Sequence, residues 1–344
     1  MIKAGDIANF VIIAFAIVVV LVLGRPLLIP LVIALMLWFI VKQIRFSLDK
    51  VGLIRRSIPT WLKYVVSFLV VVGLINFIVI IVYSNFRHLL ETYDKYKHNL
   101  NLLVESINQR LNIDLMSHLQ VHLEHFDVSN LLLTAFNLST LLLSNLTMVV
   151  VYAVFLFLEE PAFRLKLQKL FPEGDQFDNA FKTMKRIEFS VARYIGVKTM
   201  ISFCTALLSY IVFEIVGIDF PVFWAFMIFV LNYIPAIGSI IATLLPVAFS
   251  MLQFGDYVPG IVLLLSVGTI QFFIGNFLDP KIMGDNVNLS PLIIILSLSF
   301  WGAIWGVTGA ILSVPITVVV VIILSKFPKT QPIAILLSGK GEVK

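Results

Sequence analysis

Residues 232–238 read NYIPAIG, and they fall inside 220–255, a run of 36 residues without one charged side chain. As continuous helix that run would be about 54 Å long at 1.5 Å per residue, nearly twice the ~30 Å hydrocarbon core of a bilayer. An amide, a proline and a glycine interrupt the helical ladder where a membrane span should be most regular. The run 286–325 repeats the problem over 40 residues, with WGAIWGVTGA at 301–310 near its centre. Both runs read as broken segments, either kinked spans or re-entrant hairpins. Charge counting does not choose between these, because either choice, made for both runs, leaves the C-terminus on the same side.

The rest of the chain is equally apolar. Of 344 residues, 60% are hydrophobic and only 13% charged, and the mean hydropathy is +1.01, whereas a soluble domain carries about a quarter of its residues as charges. Further uncharged runs cover 7–24, 26–41, 64–86, 128–158, 199–213 and 257–278, most of them near the roughly 20 residues a helical span needs. The expected fold is an all-α polytopic membrane protein with about eight transmembrane segments, two of them broken or re-entrant, plus a helical extracytoplasmic segment. Residues 7–41 read as a helical hairpin turning at Gly24, Arg25 and Pro26 rather than a cleaved leader, since no small-residue cleavage site follows the first apolar run. Cys204 is the only cysteine and falls inside a span, which excludes internal disulfides and cysteine-based metal sites.

The net charge of +5 belongs to membrane topology rather than to nucleic acid. Between the second and third spans, Lys42, Arg45, Lys50, Arg55, Arg56 and Lys63 face only Asp49; residues 159–198 and the tail from Lys326 are also base-rich, while 87–127 hold more acids than bases. The positive-inside rule then puts both termini in the cytoplasm. The expected divisions are three N-terminal transmembrane helices in 1–85, an extracytoplasmic helical segment in 86–128, a fourth span in 129–158, cytoplasmic amphipathic helices in 159–198, a transport region holding both broken segments in 199–325 and a cytoplasmic tail in 326–344.

Outside the membrane, Leu89, Tyr93, Tyr96, Leu100, Leu103, Ile107 and Leu111 form one helical stripe. It calls for a partner, either the neighbouring HLQVHLEHF helix at 118–126, which the reading favours, or another protomer. His118, His122 and His125 share a helix face, but without an HExxH or a cysteine partner a solvated surface explains them, and no metal or other cofactor is expected. In 159–198, Pro161 and Pro172 bracket a basic amphipathic segment suited to the membrane surface. A second amphipathic helix carries Phe181, Met184, Ile187, Val191 and Tyr194 on one side.

Two interrupted apolar segments point to the substrate site of a transporter. A helix break leaves N–H and C=O groups that inside a bilayer must face protein, ions or water. Asn232 and Tyr233, with the backbone opened by Pro235 and Gly238, are the candidate polar site. Gln271 and Asn276 would line the path, and Asp279 and Lys281, flanking Pro280, would hold a gate. Gly302 and Gly306 mark the second break, or with Ala310 a close-packing face. A cation/proton antiporter would need an exchanging carboxylate, for which Glu214 and Asp279 are candidates beside Asp256, all near span boundaries. No P-loop, GxSxG or dinucleotide motif is present, so neither an enzyme nor ATP-driven transport by this chain is expected.

LNYIPAIGSIIATLLPV at 231–247, LDPKIMGDNVNLSPLIIILSLSFWGAIWGVTGAILSVPI at 278–316 and YIGVKTMISF at 194–203 resemble signature regions of the AI-2E transporter family, the PerM-type permeases. The resemblance covers nearly the whole chain, and Asn286 departs from it, following GD where a more basic or hydroxylated pair is usual. It implies an inner-membrane transporter of about eight spans that assembles as a homo-oligomer, a pentamer by family likeness. Its cargo would be a small polar solute such as autoinducer-2 or, as the alternative, a monovalent cation in Na⁺(Li⁺)/H⁺ antiport. A third reading is a non-transporting membrane scaffold organised by the outer stripe.

Overall fold

The structure is a computed structural model that describes residues 4–50, 59, 62–70, 72–73, 76, 80, 84, 96, 98–99, 128–170, 174–283 and 288–341. The three-histidine face, Pro172 and all of the outer stripe except Tyr96 lie outside these residues. Among them there is no strand, and the elements are helices α1 (Ala4–Leu23), α2 (Arg25–Lys50), α3 (Val128–Leu170), α4 (Gly174–Val216), α5 (Pro221–Leu231), α6 (Ile237–Phe254) and α7 (Val258–Phe273). A π-helical turn (Ile274–Leu278), α8 (Asp279–Met283), α9 (Pro291–Leu324) and α10 (Gln331–Leu337) follow. Among the described residues five stretches are long and apolar enough to cross a membrane, namely Arg25–Arg45, Phe177–Val216, Ile237–Phe254, Val258–Ile282 and Pro291–Leu324. The protein is an all-helical, multi-pass membrane protein.

The chain forms two compact units, one of Met1–Ser57, Thr140–Arg193 and Asn288–Lys344 and one of Ile58–Ser139 and Tyr194–Val287. The two broken segments fall in different units.

In the second unit the run 220–255 is two helices, α5 and α6, that double back. At their open ends, away from the tip, the Asp219 N–H donates to Gln253 Oε1 at 2.6 Å and Gln253 Nε2 donates to the Gly217 carbonyl at 2.9 Å, while Phe249 packs on Phe220 and Trp224. Residues 34 to 36 positions apart in a straight helix would be about 50 Å from one another. The segment is therefore a helical hairpin, not a kinked span. Its core joins Phe213 and Ala206 of α4, Ile228 of α5, Ala242 and Val247 of α6, and Leu263 and Val267 of α7. Tyr96, the one described member of the outer stripe, donates to Asp219 Oδ2 at 2.9 Å and packs edge-on against Phe249. That residue thus finds its partner at the hairpin's open end.

In the first unit α9 also doubles back. Gly306 takes φ 63°, ψ −143° within it, a conformation that only glycine adopts without strain. Trp301 Nε1 donates to Thr317 Oγ1 at 3.2 Å although the two are 16 positions apart, about 24 Å along a straight helix. Trp301, Ile304 and Trp305 at this bend pack against Val18 and Leu21 of α1 and Leu28, Ile29 and Val32 of α2, and Trp305 Nε1 donates to the Leu21 carbonyl at 3.0 Å. The isolated bridge between Leu289 and Ser338 brings α10 beside the entry to α9.

Two local expectations are corrected. Gly24 alone joins α1 to α2, its N–H donating to Val20 and its carbonyl accepting from Leu28. One linking residue, bonded helically on both sides, makes a bend, because an antiparallel turn needs a longer connection. Likewise α3 runs through residue 161 to Leu170 without interruption. A proline removes one ladder bond, which the length of this helix absorbs, so the basic segment after 159 begins as a continuation of α3. The amphipathic face of α4 is as expected, with Val191 and Tyr194 both buried.

The first unit also holds a buried ionic cluster. Lys42 Nζ lies 2.8 Å from Glu160 and 2.7 Å from Glu188, over the ring of Trp38, whose Nε1 donates to Glu160 at 3.2 Å. Pairing makes the burial of so many charges tolerable.

Candidate functional site

The tip of the α5–α6 hairpin is built from the NYIPAIG sequence itself. Pro235 has no N–H to continue the ladder, and the chain tightens into 3₁₀-type bonds, Tyr233 N–H to Val230 O and Ile234 N–H to Leu231 O. Ala236 then takes φ 58°, ψ −58°, a conformation that a residue with a side chain adopts only under constraint from its surroundings. Gly238 follows in the first turn of α6, where a Cβ would overlap the Leu231 carbonyl oxygen. Pro235 and Gly238 each have a structural reason to be there, and the break is left open on one side.

That side faces a cavity of about 600 Å³ within the second unit. The break contributes Asn232, α6 contributes Ser239 and Thr243, α7 contributes Gly268 and Gln271, the π-turn contributes Asn276, and Lys198 and Thr205 come from α4. Asn232 is buried, at 9% exposure, and its Oδ1 has no hydrogen-bond partner within the protein; the same holds for the buried Nε2 of Gln271. A buried amide atom left unpaired costs about 1–3 kcal/mol, so two of them on one cavity are groups a polar ligand or water would satisfy. The hydroxyls of Thr205, Ser239 and Thr243 spend their protons on the Ile201, Ala236 and Ser239 carbonyls and keep lone pairs to accept with.

The cavity's charges are paired. Lys198 Nζ is 2.8 Å from Asp279 Oδ2, with 11% and 22% of the side chains exposed. Its neighbour Thr199 donates to the Ile195 carbonyl, so the Tyr233 hydroxyl is the donor in the 2.6 Å Tyr233–Thr199 contact. Consecutive residues of α4 thus hold the hairpin tip and the end of the α7 segment.

The structure gathers some of the sequence candidates and separates others. Asn232, Gln271, Asn276 and Asp279 line the cavity; Asn276 is exposed and spends its amide N–H on the Phe272 carbonyl. Tyr233, Pro235 and Gly238 shape the tip beside it. Lys281 is exposed, and the partner of Asp279 is Lys198, 81 positions away, rather than Lys281. Glu214 is exposed and outside the lining. Gly302 and Gly306 belong to the other unit's hairpin, where Gly302 faces Ala310 across the bend. Sequence reading missed Lys198 and Thr199 as site residues, although Lys198 is the last charge before the run 199–213 and Asp279 the first after 257–278. Among the described residues no group of three or more His, Cys, Asp or Glu side chains is placed to hold a metal.

A family model described as AI-2E family transporter matches residues 10–329. A putative transport protein of Haemophilus influenzae is 29% identical over 340 residues, covering 96% of each chain. The AI-2 transport protein TqsA of Escherichia coli is 31% identical over 294 residues, 83% of each chain. A putative transport protein of Borreliella burgdorferi is 31% identical over 247 residues, 71% of this chain and 67% of the relative. With the match running from the first helix through the second hairpin, the chain belongs to the AI-2E transporter family, a family of transport proteins.

Proposed function

We propose that this protein is a secondary transporter of a small polar solute, of the kind named in the AI-2 transport protein it resembles, working by alternating access across the bacterial inner membrane. The carrying observation is the cavity at the hairpin break, with the unpartnered amides of Asn232 and Gln271 on its walls. A solute bearing both donors and acceptors satisfies them, and the Lys198–Asp279 pair leaves the cavity without a free charge among these groups. In this reading about eight membrane segments include two re-entrant hairpins, both termini are cytoplasmic, and Thr199 and Lys198 mark the cytoplasmic end of the cavity. Residues 199–325 form the transport region, and copies of the chain assemble as a homo-oligomer, a pentamer by family likeness.

The test is flux in proteoliposomes, comparing an autoinducer-2-type solute with Na⁺ and Li⁺ gradients followed by a pH dye. Saturable solute movement that Asn232→Leu abolishes supports the reading. Proton flux driven by Na⁺ or Li⁺ and lost in Asp279→Asn replaces it with the antiporter; no flux of either kind leaves the scaffold.

A further inference from the structure

The cavity treats its polar groups in two ways: Asn232 Oδ1 and Gln271 Nε2 are buried without a partner, while its lysine and its aspartate are bonded to each other. Lys198 and Asp279 sit on different walls, one on α4 and the other just beyond the π-turn, and the cavity lies against both. Free amides are groups for a solute to meet. A paired lysine and aspartate in the same place hold two walls together.

The π-turn shows how such a tie can be released. The Asp279 N–H donates to the Ile274 carbonyl, five residues back, and Gly275 and Asn276 of that turn line the cavity. Such turns hold one residue more than an α-helical turn and concentrate at functional sites. Relaxation to α geometry rotates everything that follows by about 100°, which would carry the Asp279 carboxylate away from Lys198. Next to Lys198, Thr199 is bonded to Tyr233 at the hairpin tip. One short length of α4 therefore ties down both elements that border the cavity.

Resting on the transport reading above, we propose that Lys198 and Asp279 form the ion-pair latch that closes one end of the cavity, and that the π-turn is the hinge on which it opens. Lys198 acts here as a positioning residue, through Asp279, and no solute contact is required of it.

The experiment reads access to the cavity without any solute. In a Cys204→Ala background, Gly268→Cys places a thiol on the cavity wall, where a Cβ meets nothing within 4 Å. Labelling by a membrane-impermeant methanethiosulfonate is timed from each face of the membrane in vesicles. With the latch intact, labelling from the latch face is slow. Lys198→Met and Asp279→Asn should each speed it several-fold, the double swap Lys198→Asp/Asp279→Lys should slow it again, and Lys198→Arg should match the parent. Unchanged labelling in the single variants overturns the latch, as does a swap that fails to restore protection, because then the singles act by loosening the fold. If labelling follows the expected pattern while no solute or cation moves in liposomes, the latch stands and the transport reading fails alone.

Discussion

Gly238 lies against the carbonyl oxygen of Leu231, seven residues earlier, so closely that a Cβ would overlap it, and Gly309 stands in the same relation to Trp301, eight residues earlier. In straight helices these pairs would be about 10 and 12 Å apart. Both glycines are on the returning arm of a hairpin and lack the side chain that would push the arms apart. The same device thus closes both overlong apolar segments, although they lie in different units of the protein.

Alanine at either position is opposed by backbone rather than by a movable side chain. Gly238→Ala and Gly309→Ala should each destabilise the protein by about 3 kcal/mol or more, read as a lowered unfolding midpoint in detergent. Gly268→Ala, in open space on α7, should be neutral or gain up to about 1 kcal/mol from helix propensity. Equal midpoints for all three would show that the hairpins do not close on their glycines.

Gly306 tests the second bend separately. No neighbour lies within 4 Å of where its Cβ would be, so only its φ of 63° resists substitution. Gly306→Ala should cost about 1–3 kcal/mol, less than Gly309→Ala. The order of the two midpoints in one thermal series decides whether backbone strain or collision dominates there.

Asn232 separates stability from function. Asn232→Leu replaces a buried unpaired acceptor with an apolar side chain of the same branching, with the cavity beside it to take the larger methyl groups, so the unfolding midpoint should hold or rise, by about 1 kcal/mol at most, while solute flux falls to background. A variant that loses stability and keeps its flux would place Asn232 in the framework of the hairpin and not in the site.

The ionic cluster of the first unit should show the asymmetry of buried pairs. Lys42→Met leaves Glu160 and Glu188 without their shared cation and should cost about 3–5 kcal/mol. Adding Glu188→Gln, which removes the carboxylate left with only the half-exposed Lys185 at 3.4 Å, should recover part of that loss. If the double variant is no more stable than the single, the packing of the Lys42 stem on Trp38, and not charge, is what the cluster supplies.

Much of this was legible in the chain because a bilayer makes composition decisive. Uncharged runs of known length mark the spans, and two of them exceed the membrane's thickness. The residue types at 232–238 announced a break because proline and glycine act on the backbone within a turn or two of themselves. The pairing of Asp279 was not legible. Lys281 is its near neighbour in sequence, yet helical geometry sends that side chain to the surface, and the true partner stands 81 residues away on another helix.

That the protein is helical, lies in a membrane and has two segments that cannot be straight spans follows from hydrophobicity and local backbone chemistry, which the chain carries residue by residue. That both segments are hairpins, that they lie in separate units, and that Asn232, Gln271 and the Lys198–Asp279 pair share one cavity came from the folded chain alone. Those facts depend on which distant surfaces pack together, and no periodicity or local residue preference specifies that.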